Sequence, residues 1–147
     1  MTIPATVRDN PLFSNLTDAQ AAAMFALAEE KRVDGGDTLV RQFDRNTDLV
    51  IVLEGIAAIR TFSGETVAEV GPGAVLGEVS LVDSEPRSAN VVAKGACKVA
   101  VIPSADLRNL LEGDSALKAQ VMENLGRILA CRLRAANVHL DAASTRR

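Results

Sequence analysis

The chain has one histidine, no tryptophan, no tyrosine and four phenylalanines among its 147 residues. Each scarcity removes a class of function. His139 alone cannot build a metal site that needs two or three imidazoles, which argues against a cupin-type metalloenzyme with inward-facing histidines. Phe13, Phe25, Phe43 and Phe62 are too few to form the stacking platform that single-stranded nucleic acid needs. Positive charge is also short. Sixteen Lys and Arg against nineteen Asp and Glu leave a net charge of −3, the reverse of the basic balance of nucleic-acid binders. One local excess of arginine (Arg127, Arg132, Arg134, Arg146, Arg147 against Glu123 and Asp141) reads as a solvated helix face and tail. No apolar run approaches the roughly 18–20 residues of a membrane helix. No basic start leads into an apolar stretch with a small-residue cleavage site. A cytoplasmic protein without a membrane partner is therefore expected. Cys97 and Cys131 lie far apart, form no CxxC, and read as small buried apolar residues of a reducing compartment.

What is present is 48% hydrophobic and 24% charged, the balance of a globular chain, at the length of one domain over residues 1–147. Residues 1–11 read as a loose lead-in containing Pro4 and Pro11. Thr17 and Gln20 have the spacing of a capping box, opening a helix within 12–32 whose wet end is the Glu29–Glu30–Lys31–Arg32 run. From 33 to 103 short apolar runs alternate with turns: Thr38–Val40, Leu49–Leu53, Ile56–Phe62, Thr66–Val70, Val91–Ala93 and Lys98–Ile102. Such a series predicts an antiparallel jelly-roll-like β-roll of about eight strands. Pro103 ends it, and residues 104–140 read as two helices, with Ser104 and Ser115 as their caps and Gly113 between them. The predicted class is α+β, mainly β, with an N-terminal helix and two C-terminal helices. In the last helix Leu117, Val121, Leu125 and Ile128 form one apolar stripe. Met122, Leu125, Leu129, Leu133, Ala136 and Leu140 form another, spaced 3, 4, 4, 3 and 4. A helix with two stripes packs on its own domain with one and on a second copy with the other, so a homodimer through 116–140 is expected.

One stretch does not read as strand, turn and strand. It runs from Gly71-Pro72-Gly73 through Leu76-Gly77-Glu78-Val79-Ser80-Leu81 to Pro86-Arg87-Ser88-Ala89-Asn90-Val91. Glycine at 77 allows a tight turn, and a single helical turn after it would converge free backbone N–H groups on an anion. Arg87, nine residues after Glu78, can grip a phosphate with two parallel hydrogen bonds, and Ser88 adds a hydroxyl. Glu78 cannot face a phosphate but can accept from a sugar hydroxyl. Together they suit a phosphorylated sugar, although the spacing alone equally permits a surface ion pair between Glu78 and Arg87.

The segment resembles the phosphate-binding cassette of cyclic-nucleotide-binding domains, the family of the bacterial catabolite activator, the regulatory subunits of cyclic-AMP-dependent kinase and cyclic-nucleotide-gated channels. The match rests on Leu76-Gly77-Glu78 followed by Pro86-Arg87-Ser88-Ala89-x-Val91, with Gly71-Pro72-Gly73 and Val52-Leu53-Glu54-Gly55 upstream, and it extends over about residues 12–140. The resemblance implies a cassette at 76–89 in which Arg87 binds the exocyclic phosphate oxygen. Ser88 would add its hydroxyl and Ala89 its backbone N–H; Glu78, with the Gly77 backbone, would hold the ribose 2′-hydroxyl. Leu76 and Val79 would line the wall near the sugar. Ser88 after the arginine is similar to bacterial cyclic AMP receptors, so cyclic AMP is preferred and cyclic GMP is the alternative. Phe43 departs from the family's frequent glycine after Gln42. No aromatic is offered by the last helix to close over the base; Arg132 could stack there through its guanidinium plane, or simply face solvent.

These features predict a binding module without catalytic residues, metal or cofactor: a stand-alone cyclic nucleotide receptor that moves its C-terminal helix to signal to an unknown effector protein. A β-roll that no longer binds nucleotide and serves only dimerisation is the alternative. Activators of this family carry a helix-turn-helix beyond the long helix. This chain ends at Arg147, so neither a DNA-binding domain nor DNA as a partner is expected.

Overall fold

The computed structural model describes residues 2–40, 47–61, 63–82 and 89–145, with side chains omitted for Ser80 and for 139–145. Two four-stranded antiparallel sheets face each other. One has the order β1-β8-β3-β6 and the other β2-β7-β4-β5. The strands are β1 (Glu29–Val33), β2 (Thr38–Val40), β3 (Leu49–Glu54), β4 (Ala57–Arg60), β5 (Thr66–Val70), β6 (Val75–Leu76), β7 (Asn90–Ala93) and β8 (Cys97–Ile102). The expected roll, its class and its strand count among the described residues agree with this architecture.

The unbroken apolar run of β3 follows from burial on both faces. Leu49 and Ile51, with Ala100 and Ile102 of the neighbouring β8, pack into a core shared with the helices. Val50 and Val52, with Val99, pack into a second core between the sheets, together with Ala57, Leu76 and Val91. A strand alternates its side chains, so only a strand sandwiched between two cores can be apolar at every position.

Four helices cover the outer face of the first sheet: α1 (Ala5–Arg8), α2 (Asp18–Phe25), α3 (Ser104–Glu112) and α4 (Ser115–Thr145). A 3₁₀ turn, Pro11–Phe13, lies between α1 and α2. The capping box is formed as read: the Gln20 amide donates to Thr17 Oγ1 at 3.1 Å, and the Thr17 amide donates to Gln20 Oε1 at 2.9 Å. Leu117, Val121 and Leu125 are buried, so the first stripe of α4 does face its own domain. Among the described residues no helix is long and apolar enough to cross a membrane.

Several expectations are corrected. The N-terminal helix does not run over 12–32, and its supposed wet end, Glu29–Val33, is the edge strand β1, paired with β8 from Glu29↔Val101 to Val33↔Cys97. Residues 1–11 are no loose lead-in, because Val7 is fully buried in α1 and the adjoining Leu12 and Phe13 are fully buried too. Ser104 and Ser115 do not cap. Asp48 Oδ1 takes the Ser104 amide at 2.9 Å, and Asp114 Oδ1 takes the Leu117 amide at 3.1 Å. In both cases a longer acid one turn back, or across from another segment, reaches the orphan amide first. Helix α4 extends past 140 to Thr145. Leu125, expected in both stripes, is committed to the intramolecular core, and Cys131 is exposed where a buried residue was expected, while Cys97 is buried. Phe43 and Phe62 lie outside the described residues.

Candidate ligand pocket at the Gly77–Glu78 turn

The candidate site is built from strand β6 onward. This two-residue strand pairs with the central β3 at Val50↔Leu76 and Ile51↔Val75, which fixes Leu76 in the inter-sheet core and delivers the chain to Gly77 at the sheet edge. Gly77 has φ +86°, a left-handed conformation that side chains resist, so glycine is required for the reversal. The 3₁₀ turn Glu78–Leu81 follows at once. This is the single helical turn the sequence called for after Gly77.

Glu78 is the outcome of that geometry. The turn folds its side chain inward and leaves the residue 4% exposed, one of the two buried polar or charged residues among those described. A carboxylate this deep requires a partner, since desolvating an unpaired charge is costly. The partner comes from α4: Arg132 donates from Nη2 to Glu78 Oε1. The arginine side chain stays 57% exposed, so the guanidinium spans from solvent to a buried anion. Glu78 is therefore not the surface residue that one reading of the sequence allowed.

Leu76 is buried at the end of β6, Val79 is half-buried in the 3₁₀ turn, and Ala89 is half-buried just before β7. Leu76, Gly77, Glu78 and Val79 are thus contiguous on one turn, and Arg132 is brought to them from 54 residues away. Arg87 and Ser88 lie outside the described residues.

Two contacts were not read from the sequence. The first is the Arg132–Glu78 pair; the signal available was a carboxylate destined for burial, which demanded a cation from somewhere. The second is Asn124, also buried, whose Nδ2 donates to Leu12 O at 2.9 Å and Ser14 O at 2.8 Å while its Oδ1 accepts from Gln120 Nε2. A lone Asn inside an apolar helical stripe was its signal. The N-terminal segment is joined in turn to the turn before β6, where Asn10 Nδ2 donates to Gly73 O at 3.0 Å.

Comparison with known proteins agrees with this geometry. Residues 30–114 match the family model described as cyclic nucleotide-binding domain, and the chain belongs to that family. The Cyclic AMP receptor protein of Thermus thermophilus is 30% identical over 142 residues, covering 94% of this chain and 64% of its own length. The crystal structure of the N-terminal domain of a transcriptional regulator from Streptomyces coelicolor superposes with a TM-score of 0.76 at 31% identity, covering 92% of this chain and 94% of that one. The regulatory domain of Toxoplasma gondii PKA, crystallised with cAMP, superposes with a TM-score of 0.64 at 27% identity over 71% of this chain and 41% of that one. The chain spans 17%, 28%, 22% and 64% of the length of four curated relatives that it matches.

Proposed function

We propose that this chain is a receptor module for a cyclic nucleotide, with cyclic AMP preferred, and that it acts by binding rather than by catalysis. The observation that carries the reading is the buried Glu78, set behind a left-handed Gly77 on a turn that opens the family's cassette. A carboxylate there can accept from the ribose 2′-hydroxyl. The Arg87 guanidinium would hold the cyclic phosphate, with the Ser88 hydroxyl and the Ala89 amide beside it, and Leu76 and Val79 would flank the sugar. Cyclic AMP is favoured by Ser88 after the arginine and by relatives named for cyclic AMP. Cyclic GMP is the alternative ligand.

The module would work as a homodimer through the 116–140 helix and signal to an effector protein from a cytoplasmic location. Support for the dimer is the outer stripe of α4. Leu129 and Leu133 are exposed, the latter by 63%. The side chain of Leu140 lies outside the described residues. Exposed leucines in near-heptad spacing are suited to a second copy of the same helix.

Thermal denaturation with cyclic AMP, cyclic GMP and linear 5′-AMP tests the reading. A ligand present at 100 times its Kd adds about 2.7 kcal/mol to stability. A rise with cyclic AMP larger than with cyclic GMP, and none with 5′-AMP, is expected. No rise with either cyclic nucleotide at millimolar concentration would leave a nucleotide-free dimerisation module as the better account.

A further inference from the structure

We infer that the free edge of β5 takes a second copy of this chain, strand to strand: the two β5 segments pair antiparallel about Ala68, with Val67 of one copy opposite Glu69 of the other. This edge belongs to the second sheet, whereas α4 lies on the outer face of the first, so the contact is distinct from the outer stripe of α4.

Among the described residues four strands end a sheet: β1, β6, β2 and β5. An edge offers unpaired backbone groups to other chains, and proteins blunt it with charge or with shortness. Strand β1 carries Glu29, Glu30, Lys31 and Arg32. Strand β6 has two residues and β2 has three. Strand β5 has five residues and a single charge, Glu69, whose Oε1 accepts from Lys94 Nζ at 2.8 Å. Residues 66–69 are exposed, Val67 by 60%. Strand formers such as Thr66, Val67 and Val70 gain from cross-strand neighbours, and β4 supplies them on one side.

The register of β4 identifies the groups at the free edge. Ile56 O accepts from the Lys94 amide, and the Thr61 amide donates to Glu65 O, both at 2.9 Å. Backbone groups alternate sides along a strand, so Ala58 and Arg60 turn to β7, and Ala57 and Ile59 turn to β5. Their partners in β5 are Val70 and Ala68. Glu69, opposite Ala58, therefore directs its N–H and C=O outward. Val67 is the extra residue of a bulge, since Ile59 pairs with Ala68 and Arg60 with Thr66, and a bulged residue is left out of the ladder. Two antiparallel copies centred on Ala68 bring Val67 against Glu69 at both ends of the contact, and each such pair can exchange two hydrogen bonds. Ala68 then faces Ala68 where the strands come closest, a place suited to a small side chain. No like charges stand directly opposite, and each Glu69 keeps its own Lys94. A pairing about 17 Å long buries well under the roughly 1,200 Å² of a stable specific interface, so a weak association is expected, with a Kd of about a millimolar.

Sedimentation and amide exchange test this on the full chain carrying Leu129→Glu and Leu133→Glu, so that α4 contributes no contact. From tens of micromolar to about 1 mM this protein should pass from monomer towards dimer. The amides of Val67 and Glu69 should gain protection over that range, while those of Ala68 and Val70, already bonded to β4, should not change. Val67→Glu in the same background sets like charges opposite each other at two places and should weaken association by about 2- to 30-fold. Val67→Lys, which meets Glu69 in this register, should associate at least as tightly as its parent. Since Val67 is exposed, both variants should melt like the parent. A monomer at the upper concentration would overturn the inference by showing that the bulge itself closes the edge. Equal weakening by Glu and by Lys would overturn it in favour of an apolar contact without strand register. Dimers whose Val67 and Glu69 amides stay unprotected would place the contact elsewhere and overturn it too.

Discussion

Glu78 and Asn124 are the two polar or charged side chains buried among the described residues, and they are buried for different reasons. Asn124 has its donors and its acceptor engaged by the chain itself, so its role is to fasten α4 to the 3₁₀ turn Pro11–Phe13 and to Ser14. Asn124→Ala should strand two backbone carbonyls and cost about 2 kcal/mol of stability, read as a lower urea midpoint with an unchanged slope. Among the described residues, the side chain bonded to Glu78 is Arg132, which reaches one oxygen and itself remains in water. Glu78→Ala should weaken cyclic AMP binding less than Arg87→Ala does, because it removes one sugar contact together with a negative charge near the phosphate. Titration of both variants by calorimetry checks the order, and the reverse order would show that the two roles are misassigned.

The elements that were legible in the sequence are those whose pattern is local. The capping box at Thr17 and Gln20, the doubly buried β3 and the short turn after Gly77 all declare themselves within a few residues. What was not legible depends on distant pairing. Glu29–Glu30–Lys31–Arg32 has good helix formers, yet it is a strand because β8 lies beside it and Lys98 forms an ion pair with Glu30 across the two strands. Strand preference is set by such neighbours more than by the residue itself. The cap by Asp48 and the reach of Arg132 to Glu78 fall in the same class, whereas the Asp114 cap is local and lies one residue before the serine chosen for it. For the candidate pocket the sequence indicated Leu76, Gly77, Glu78 and Val79 as one turn, and placed Arg132 near the pocket without its partner. At this scale Gly126 also gives a prediction. Since a Cβ there meets nothing, Gly126→Ala should stabilise the protein by about 1 kcal/mol. Amide exchange should then show a smaller ligand-induced slowing over 126–140, with the strands at 49–60 unchanged in either protein. A destabilised variant would mean that the glycine serves some contact of the bound or assembled state.

For the whole molecule, the sheets and helices enclose two cores, while among the described side chains from 129 to 138 of α4 all but the half-buried Ala130 are exposed. One core lies between the sheets and the other between the first sheet and the helices, and α4 packs into the second as far as Ile128. Beyond that point α4 presents Leu129 and Leu133 on one face to solvent. A monomer gains nothing from such a surface, whereas a second copy would bury it. Leu129→Glu combined with Leu133→Glu should release monomers while nucleotide binding persists, as seen by sedimentation at tens of micromolar against a dimeric wild type. Wild-type protein sedimenting as a monomer would remove the dimer from the account and leave the pocket untouched.

The claim on which the rest depends is that the turn at Gly77–Glu78 and the arginine that follows it hold a cyclic nucleotide. Calorimetric titration of cyclic AMP into the wild type and into Arg87→Ala tests it most directly. Truncating one side of a hydrogen-bonded charge pair costs roughly 2–5 kcal/mol, about 30- to several-thousand-fold in Kd. The account predicts saturable binding of one nucleotide per chain in the wild type and a loss of that size in a variant that melts like the wild type. Equal affinity in the two proteins, or no binding by the wild type, would contradict it.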